Sequence, residues 1–272
     1  MAKTSVSIVA CNELFLRQTI QSVLDAARGD IEVIVVLDNY WPNPPLPEFD
    51  RRVNIIHLGK RQGLRPGIMA AARIATGKYI MKLDAHCLLD EGFDVKLAAD
   101  CEHDWVVIPR RYRLDPDAWK INEVRGYIDY MRLDEDYIGK IWLKYDRARD
   151  KQDVMIDDLM TFQGSCWFMH KDYFWKFGGY DPACGAFFHE AQILGFRTWL
   201  SGGRVVRNKN TWYAHLHKGR RFGRMYRLDK GLRDIARQYL QKTWIDGMNG
   251  PFQIYPLSWL IDKFEPVPGW HK

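Results

Sequence analysis

The feature that most restricts the fold is an alternation of strand-like and helix-like segments in the first third of the chain. Segments rich in apolar and β-branched residues, typical of strands, lie at 5–10, 31–37, 53–58 and 79–83. Between them, apolar residues recur at helical spacing in 15–27 and 63–77. The second strand-like segment is apolar almost throughout, as in a strand covered on both faces of a parallel sheet. This βαβαβ order predicts an α/β fold with a mostly parallel, Rossmann-like sheet flanked by helices.

Polar side chains follow three of these predicted strands. Asn12 and Glu13 come after the first, Asp38 ends the second, and Asp84 and His86 follow the fourth. Open α/β sheets bind ligands at the carboxyl ends of their strands, so we expect these side chains at one edge. Residues two apart on an extended backbone point the same way, and a carboxylate with an imidazole can bind a divalent cation. An Asp after a strand is also a common turn or helix cap, so this pair alone is compatible with either role.

Length and composition indicate a globular protein with a substantial core. The chain has 272 residues, of which 47% are hydrophobic and 27% charged. No segment approaches the roughly 18 apolar residues of a membrane span, and no signal-peptide core precedes the first strand. We therefore expect a cytoplasmic protein with no membrane partner. The five cysteines are odd in number and lack C-x-x-C spacing, which favours reduced thiols over a zinc cluster or disulfides.

Several segments together resemble a known family. In the first third these are 6–13, 34–38, 63–64 and 83–87, and their order and spacing are similar to those of the GT-A nucleotide-sugar glycosyltransferases of the family-two type. The Asp-x-His-Cys sequence at 84–87 resembles the polypeptide N-acetylgalactosaminyltransferases in particular. Segments of the second half agree, namely 162–169, 171–182, 190 with 195–203, and 212–215.

The resemblance implies a single GT-A domain that uses a UDP-sugar and a divalent ion, Mn²⁺ or Mg²⁺. Asp84, His86 and His215 are the metal ligands that it implies, with His217 as the competitor for the third position. An ion in that place acts as a Lewis acid on the diphosphate as the sugar–phosphate bond breaks.

The resemblance also implies a set of donor-binding residues. Asp38 is expected to accept from the uracil or ribose, beside Cys11, Asn12 and Glu13, although Asn12 and Glu13 are equally suited to capping the first helix. The others expected to contact the nucleotide sugar are Arg61, Gly63, Arg65, Asp84 and Ala85. Pro66 and Gly67 stand where an arginine-containing turn is common in relatives, which leaves the phosphate contacts open.

Glu190 and Asp84 are the predicted catalytic residues. An inverting transferase needs a carboxylate base at the acceptor hydroxyl, and in inverting relatives it is usually the Asp after this Glu. Here position 191 is Ala. The pattern favours a retaining enzyme, in which Glu190 orients groups and does not take the proton.

We divide the chain into a GT-A domain at 1–228 and a carboxyl-terminal helix and tail at 229–272 that pack on it. Within the domain, 1–100 forms the nucleotide-sugar half and 101–228 the acceptor half. The aromatic-rich segment 110–158 is either part of the acceptor site or a helical insertion packed on the sheet. An amphipathic helix is expected through Leu232, Ile235, Ala236, Tyr239 and Leu240.

A strongly basic stretch raises the question of the acceptor. Residues 204–233 hold ten Lys or Arg against one acid, Asp229. Some are expected to bind the diphosphate, and the surplus suits a nucleic-acid backbone, so a hydroxymethylated base in phage or bacterial DNA is one candidate acceptor. Protein, glycan and small-molecule acceptors are the others. The alternatives from other classes are a nucleic-acid-binding protein on a degenerate transferase fold and a metal-dependent sugar-nucleotide hydrolase.

Overall fold

Four parallel strands form the amino-terminal half of the sheet, as predicted. The computed structural model describes residues 2–146, 148–224 and 226–270. The first elements are β1 (Thr4–Ala10), α1 (Leu16–Ala26), β2 (Ile31–Asp38), β3 (Val53–Leu58), α2 (Leu64–Ile74) and β4 (Tyr79–Asp84). Their strands lie in the order β4-β1-β2-β3. The predicted strands and helices of this half are confirmed to within a few residues.

The register of these strands brings the predicted polar residues to one edge. Val9 of β1 lies opposite Asp84 of β4, and Ala10 lies opposite Leu37 of β2. The carboxyl ends of β1, β2 and β4 are therefore level. Asp38 and Asp84 stand at the same edge of the sheet, where ligands bind in folds of this class.

The second half extends the sheet with strands of both directions. Its elements are β5 (Cys87–Leu89), α3 (Phe93–Ala99), β6 (Trp105–Asp115), β7 (Lys120–Ile121), β8 (Tyr127–Ile128), β9 (Met131–Leu133), β10 (Gly139–Ile141), α4 (Leu143–Asp146), α5 (Arg149–Gln152), β11 (Ile156–Asp158), β12 (Cys166–His170), α6 (Lys171–Lys176), α7 (Glu190–Leu200), β13 (Arg204–His215), α8 (Gly219–Phe222), α9 (Leu232–Leu240) and α10 (Leu257–Lys263). The full order is β11-β13-β6-β12-β4-β1-β2-β3, with β12 antiparallel to both neighbours and β13 parallel to β6.

The segment 110–158 is mainly a set of short strands. β7 and β8 pair with the long strand β6, and β9 pairs with β10 in a separate two-stranded sheet. The α-helices described in this part, α4 and α5, have 4 residues each, and a 3-10 helix at Glu123–Arg125 has 3. The helical-insertion alternative is therefore wrong for the described residues. Alternating charges and aromatics carried no clear period, which is why the sequence pattern did not separate the two possibilities.

Apolar side chains pack on both faces of the sheet. Ile34 and Val36 of β2 belong to one core, and Val33 and Val35 belong to the other. This explains the continuous apolar run of β2, because a strand covered on both faces has no solvent side.

The carboxyl-terminal residues pack against the helical layer over one of these faces. Leu240, Trp244 and Leu260 are buried in the same core as Trp199 of α7. The amphipathic helix expected after Asp229 corresponds to α9. The domain boundaries at 100 and 228 stay predictions, and the sheet itself continues across residue 100, because β12 pairs with β4. Within the residues described, no helix combines the length and apolar character needed to cross a membrane.

Candidate active site

Asp84, His86 and His215 converge at the carboxyl edge of the sheet. Asp84 ends β4, and His215 ends β13, which pairs with β5 so that His215 lies opposite Cys87, next to His86. The His215 Nε2 atom is 3.2 Å from Asp84 Oδ2 and 3.1 Å from His86 Nε2, and His86 Nε2 is 3.8 Å from Asp84 Oδ2. Two residues that are two positions apart in the sequence, and a third that is about 130 residues away, thus present three ligand atoms to one point.

These distances fit a hard divalent ion. Two ligand atoms at right angles, each about 2.1 Å from such an ion, are about 3 Å apart. His86 is also oriented for ligation, since its Nδ1 is 3.2 Å from Glu13 Oε2 and a proton shared there leaves the Nε2 lone pair facing the other ligands. Burial lowers the pKa of His215 to about 3, which keeps its imidazole neutral. His217 lines the same cleft. Among the described residues, however, it is not one of those whose ligand atoms converge with Asp84 and His86.

Lys82 lies at the centre of this candidate site, and the sequence analysis did not single it out. Its side chain is 1% exposed, yet its Nζ contacts Asp84 Oδ1 and the Gly164 carbonyl and lies 3.2 Å from Glu190 Oε1. Burial favours the neutral amine, but the two carboxylates outweigh this and hold the pKa of Lys82 above its usual value. Burial likewise works against ionised Asp84, and Lys82 with the two histidines holds its pKa well below the usual range. The available signal was a single Lys inside an otherwise apolar strand.

Glu190 faces the same cleft from the first position of α7. It is 9% exposed, and the backbone of Gly164 packs against it so closely that a Cβ at 164 would lie 2.6 Å from Glu190 Oε1. Burial raises the pKa of Glu190, while Lys82 acts in the opposite direction. The ammonium of Lys82 therefore lies between two carboxylates, that of Asp84 in the candidate metal site and that of Glu190 on the predicted acceptor side.

A smaller cavity of about 290 Å³ collects most of the predicted donor-binding residues. Its lining includes Cys11, Glu13, Asp38, Arg61 and Gly63. Both oxygens of Asp38 accept hydrogen bonds from the backbone, at 2.7 Å from Gln62 N and 2.8 Å from Gly63 N. Asp38 thus shapes the loop before α2 as well as lining the cavity. Asn12 lines an adjoining cavity beside Tyr40 and Trp41 instead.

Arg65 has a different place from the one predicted. It is 1% exposed, and its guanidinium donates to the carbonyls of Cys184, Gly185, Phe187 and Phe188. With its donors used in this way, Arg65 holds the loop that leads into α7 and does not reach into either cavity. The prediction that it contacts the diphosphate is wrong in this structure, because a flanking position in the sequence did not reveal that the side chain turns inward.

A cleft of about 630 Å³ joins the small cavity to the predicted acceptor side. Asp84, Ala85, His86, Glu190 and His215 form part of its wall. The remaining lining comes partly from the segment 110–158 and from the basic stretch 204–233, both of which the sequence offered as candidates, and it includes Met131, Gly139, Phe162, Gln163, His189, Gln192, Lys218, Arg224 and Tyr226. Met131 and Gly139 belong to the segment 110–158, which therefore reaches the cleft.

The cations of the basic stretch do not form one face. Arg204 pairs with Asp158, Arg207 is 1% exposed and donates to backbone carbonyls, and Lys209 donates to the Lys151 carbonyl. Lys218 lies on the cleft side, with Nζ 2.7 Å from both oxygens of Glu13. The Arg220 side chain lies outside what the structure describes. A count of charges in the sequence could not separate these internal cations from exposed ones.

Comparison with known proteins places this geometry in a family. Residues 5–178 match the family described as "Glycosyl transferase family 2", which is more than half of the chain. The chain belongs to glycosyl transferase family 2. The match spans β1 through α6 and therefore includes Asp84 and His86, while His215 and Glu190 lie beyond it.

Curated relatives of this chain include N-acetylgalactosaminyltransferases. The chain is 26% identical over 264 residues to Polypeptide N-acetylgalactosaminyltransferase 5 of Caenorhabditis elegans, covering 90% of this chain and 42% of the relative. It is 26% identical over 262 residues to Polypeptide N-acetylgalactosaminyltransferase 3 of Homo sapiens, covering 89% of this chain and 41% of the relative. The chain therefore spans less than half the length of these relatives.

A solved structure shares the fold. The crystal structure of GalNAc-T7 with UDP, GalNAc and Mn²⁺ superposes with a TM-score of 0.70 at 18% identity, over 91% of this chain and 49% of that one. The predicted GT-A architecture is confirmed by this likeness.

Proposed function

We propose that this protein is a metal-dependent glycosyltransferase that moves a sugar from a UDP-sugar to an acceptor hydroxyl. The observation that carries the proposal is the convergence of Asp84, His86 and His215 where a nucleotide-sized cavity opens into a larger cleft. Family membership supports glycosyl transfer, and the solved relative contains UDP, GalNAc and Mn²⁺.

Asp84, His86 and His215 would hold the ion, Mn²⁺ or Mg²⁺, through one carboxylate oxygen and two imidazole nitrogens. When bound, it supplies positive charge to the diphosphate as the sugar leaves. Glu13 orients His86 through the contact at Nδ1, and Lys82 fixes the second oxygen of Asp84 away from the ligand side. Side chains that fix a ligand's direction lower the cost of ion binding.

The donor nucleotide would lie in the smaller cavity, beside Cys11, Asp38 and Gly63. A hydrogen-bonded Asp38 carboxylate keeps two further lone pairs for a ribose or base donor. Arg61 lines the smaller cavity, and Lys218 and Arg224 line the cleft; these three cations are suited to the diphosphate. The loop before α2 packs closely against Ala186 at this cavity, since a Cβ at Gly63 would lie 2.7 Å from Ala186 Cβ.

Glu190 has the surroundings of an orienting group. A general base must be free to take the acceptor proton, whereas Glu190 is paired with Lys82 at 3.2 Å and is almost fully buried. The neighbouring position carries no acid, because residue 191 is a buried Ala. Both observations support a retaining reaction, in which no protein carboxylate deprotonates the acceptor from the opposite side.

The acceptor class stays a hypothesis drawn from charge. Arg224 lines the cleft, and Arg227, Lys230 and Arg233 are exposed cations that follow it in the chain. Such cations suit a polyanionic acceptor such as DNA carrying a hydroxymethylated base. Arg207 and Lys209 of β13 donate to backbone carbonyls inside the protein, so fewer cations are available to a polyanion than the sequence suggests. Protein and glycan acceptors are therefore tested alongside DNA. The cytoplasmic location likewise remains a prediction from the sequence.

The test is release of UDP from a panel of UDP-sugars with Mn²⁺, with and without hydroxymethylated DNA, peptides and glycans. Wild type is compared with Asp84→Asn and with Asp25→Asn, an exposed matched control. Turnover that needs Mn²⁺, is lost in Asp84→Asn and is kept in Asp25→Asn supports the transferase.

The same panel separates the alternatives. Acceptor-independent release with free sugar as the product would favour the hydrolase. Salt-sensitive DNA binding without turnover of any donor would favour the binding protein on a degenerate fold. Stimulation by one acceptor class identifies it, and product anomericity decides between retention and inversion.

A further inference from the structure

We propose a second divalent-cation site, formed by His103, His170 and Asp172 and suited to Zn²⁺. It is separate from the cleft in its place on the sheet. His170 ends β12 opposite Tyr79, the first residue of β4, whereas Asp84 is the last residue of that strand. Five residue steps of an extended strand place the two sites about 17 Å apart along the sheet.

Three ligand groups converge at this second site. One nitrogen of each histidine and a carboxylate oxygen of Asp172 all lie within 4.8 Å of one another. His103 Nε2 is 3.0 Å from Asp172 Oδ2, and His170 Nδ1 is 3.8 Å from Asp172 Oδ1. Ligand atoms about 2.0–2.1 Å from a tetrahedral Zn²⁺ stand about 3.3 Å apart. The two nitrogen–oxygen distances, each to a different oxygen of Asp172, lie on either side of that value.

His170 is oriented as a ligand and not as a partner of the carboxylate. Its Nε2 lies 3.3 Å from the Cys101 carbonyl, which can only accept, so the ring proton is at Nε2 and the Nδ1 lone pair faces Asp172. The distance of 3.8 Å from Nδ1 to Asp172 is too long for a hydrogen bond. A backbone carbonyl that receives the distal N–H is the usual support of a metal-binding histidine.

The other two groups are also held in place. Asp172 Oδ1 accepts from Tyr173 N at 2.8 Å, which fixes the carboxylate at the start of α6. The His103 ring packs 5.2 Å from the His170 ring and 5.9 Å from the Tyr173 ring, measured between centroids. The alternative is a surface His–Asp pair alone, which explains the contact of His103 but not the lone pair that His170 directs at Asp172.

An ion here would join the loop before β6 to the junction of β12 and α6. The site offers two imidazole nitrogens and one carboxylate oxygen, which are common protein ligands of Zn²⁺. Its side chains are largely exposed at His103 and Asp172, 61% and 70% respectively, so water can complete the shell. The role that follows from this placement is structural.

The experiment counts Zn²⁺ bound to chelator-treated protein, using a competing chromophoric chelator. The background is His86→Ala with His215→Ala, which removes two ligands of the cleft site. We expect about two Zn²⁺ per wild-type chain and about one per background chain. In that background, His103→Ala and Asp172→Asn should each weaken the remaining site at least about tenfold, and Asp104→Asn, a matched acid in the same loop, should not.

Three results would overturn the proposal, two from the zinc count and one from cobalt substitution. The first is a background protein that binds no Zn²⁺, and the second is binding that neither His103→Ala nor Asp172→Asn weakens. Co²⁺ substitution gives a second readout, because a thiolate charge-transfer band would assign the ion to a cysteine site instead. Circular dichroism of each variant checks that these surface substitutions leave the fold intact, and no outcome depends on activity in the cleft.

Discussion

Replacing Lys82 by Met tests whether its buried ammonium stabilises the two carboxylates that it contacts, Asp84 and Glu190. Met fills a similar volume, so the change removes the charge and leaves little cavity. Asp84 and Glu190 then face each other without a cation, in surroundings where Lys82 is 1% exposed and Glu190 9% exposed. Removing one partner of a buried ion pair costs about 3–5 kcal/mol, which is the expected loss of unfolding free energy at pH 8 in EDTA.

The pH dependence of this loss has a definite sign. Without Lys82, the pKa of Glu190 rises further above its unfolded value, so the folded variant binds a proton that the unfolded chain does not. An acid with a raised folded pKa destabilises the protein as pH increases, and lowering the pH relieves the repulsion. The loss in Lys82→Met should therefore be smaller at pH 5 than at pH 8.

Urea denaturation with and without Mn²⁺ measures these effects. Mn²⁺ should restore part of the lost stability, because a divalent cation replaces the missing charge beside Asp84. Lys230→Met is the matched control at an exposed lysine and should stay within about 0.5 kcal/mol of wild type. A loss in Lys82→Met below about 1 kcal/mol that is equal at both pH values would refute the reasoning.

Three further predictions use other parts of the site and its support. Gly63→Ala should lower the unfolding free energy by about 1–3 kcal/mol in urea denaturation, because Gly63 has a φ of +96° and a Cβ there would lie 2.7 Å from a neighbouring side chain. Gly59→Ala, which has open space around it, is the control and should leave the unfolding free energy nearly unchanged. Arg65→Met should lower the unfolding free energy by at least about 3 kcal/mol and disorder the loop before α7, seen as faster amide exchange, whereas Arg61→Met should do neither. Burial raises the pKa of Asp146 to about 6, so wild type should lose about 2–3 kcal/mol between pH 4 and pH 7 through this group; Asp146→Asn should remove that slope, and an unchanged slope would contradict the assignment.

Sequence patterns predicted the parts of the structure that depend on local periodicity. The apolar runs of β1, β2 and β4 and the helical spacing of α1 and α2 follow from burial on both faces of a sheet, which leaves a regular signal. Asp84 and His86 are two positions apart in the chain, so their common direction could also be predicted from local sequence. His215 is different, since it reaches them only through the pairing of β13 with β5, and its assignment came from the family resemblance.

The errors share one physical origin. Whether Arg65, Arg207 or Lys82 points into the protein or out of it depends on carbonyls and carboxylates contributed by distant segments. A charged residue in a sequence carries no sign of such partners, so cations were counted as ligand contacts when some of them hold loops. Tertiary partners of this kind also explain why Asp38 both lines a cavity and fixes the backbone of Gly63.

The central claim is that Asp84, His86 and His215 together bind the ion that binds the donor. Calorimetric titration with UDP in Mn²⁺ and in EDTA tests it, using His215→Ala and His217→Ala as a matched pair of neighbouring histidines in the same cleft. We predict that UDP binding needs Mn²⁺, weakens at least about tenfold in His215→Ala, and is retained in His217→Ala. UDP binding that is indifferent to EDTA and to His215→Ala would contradict the account.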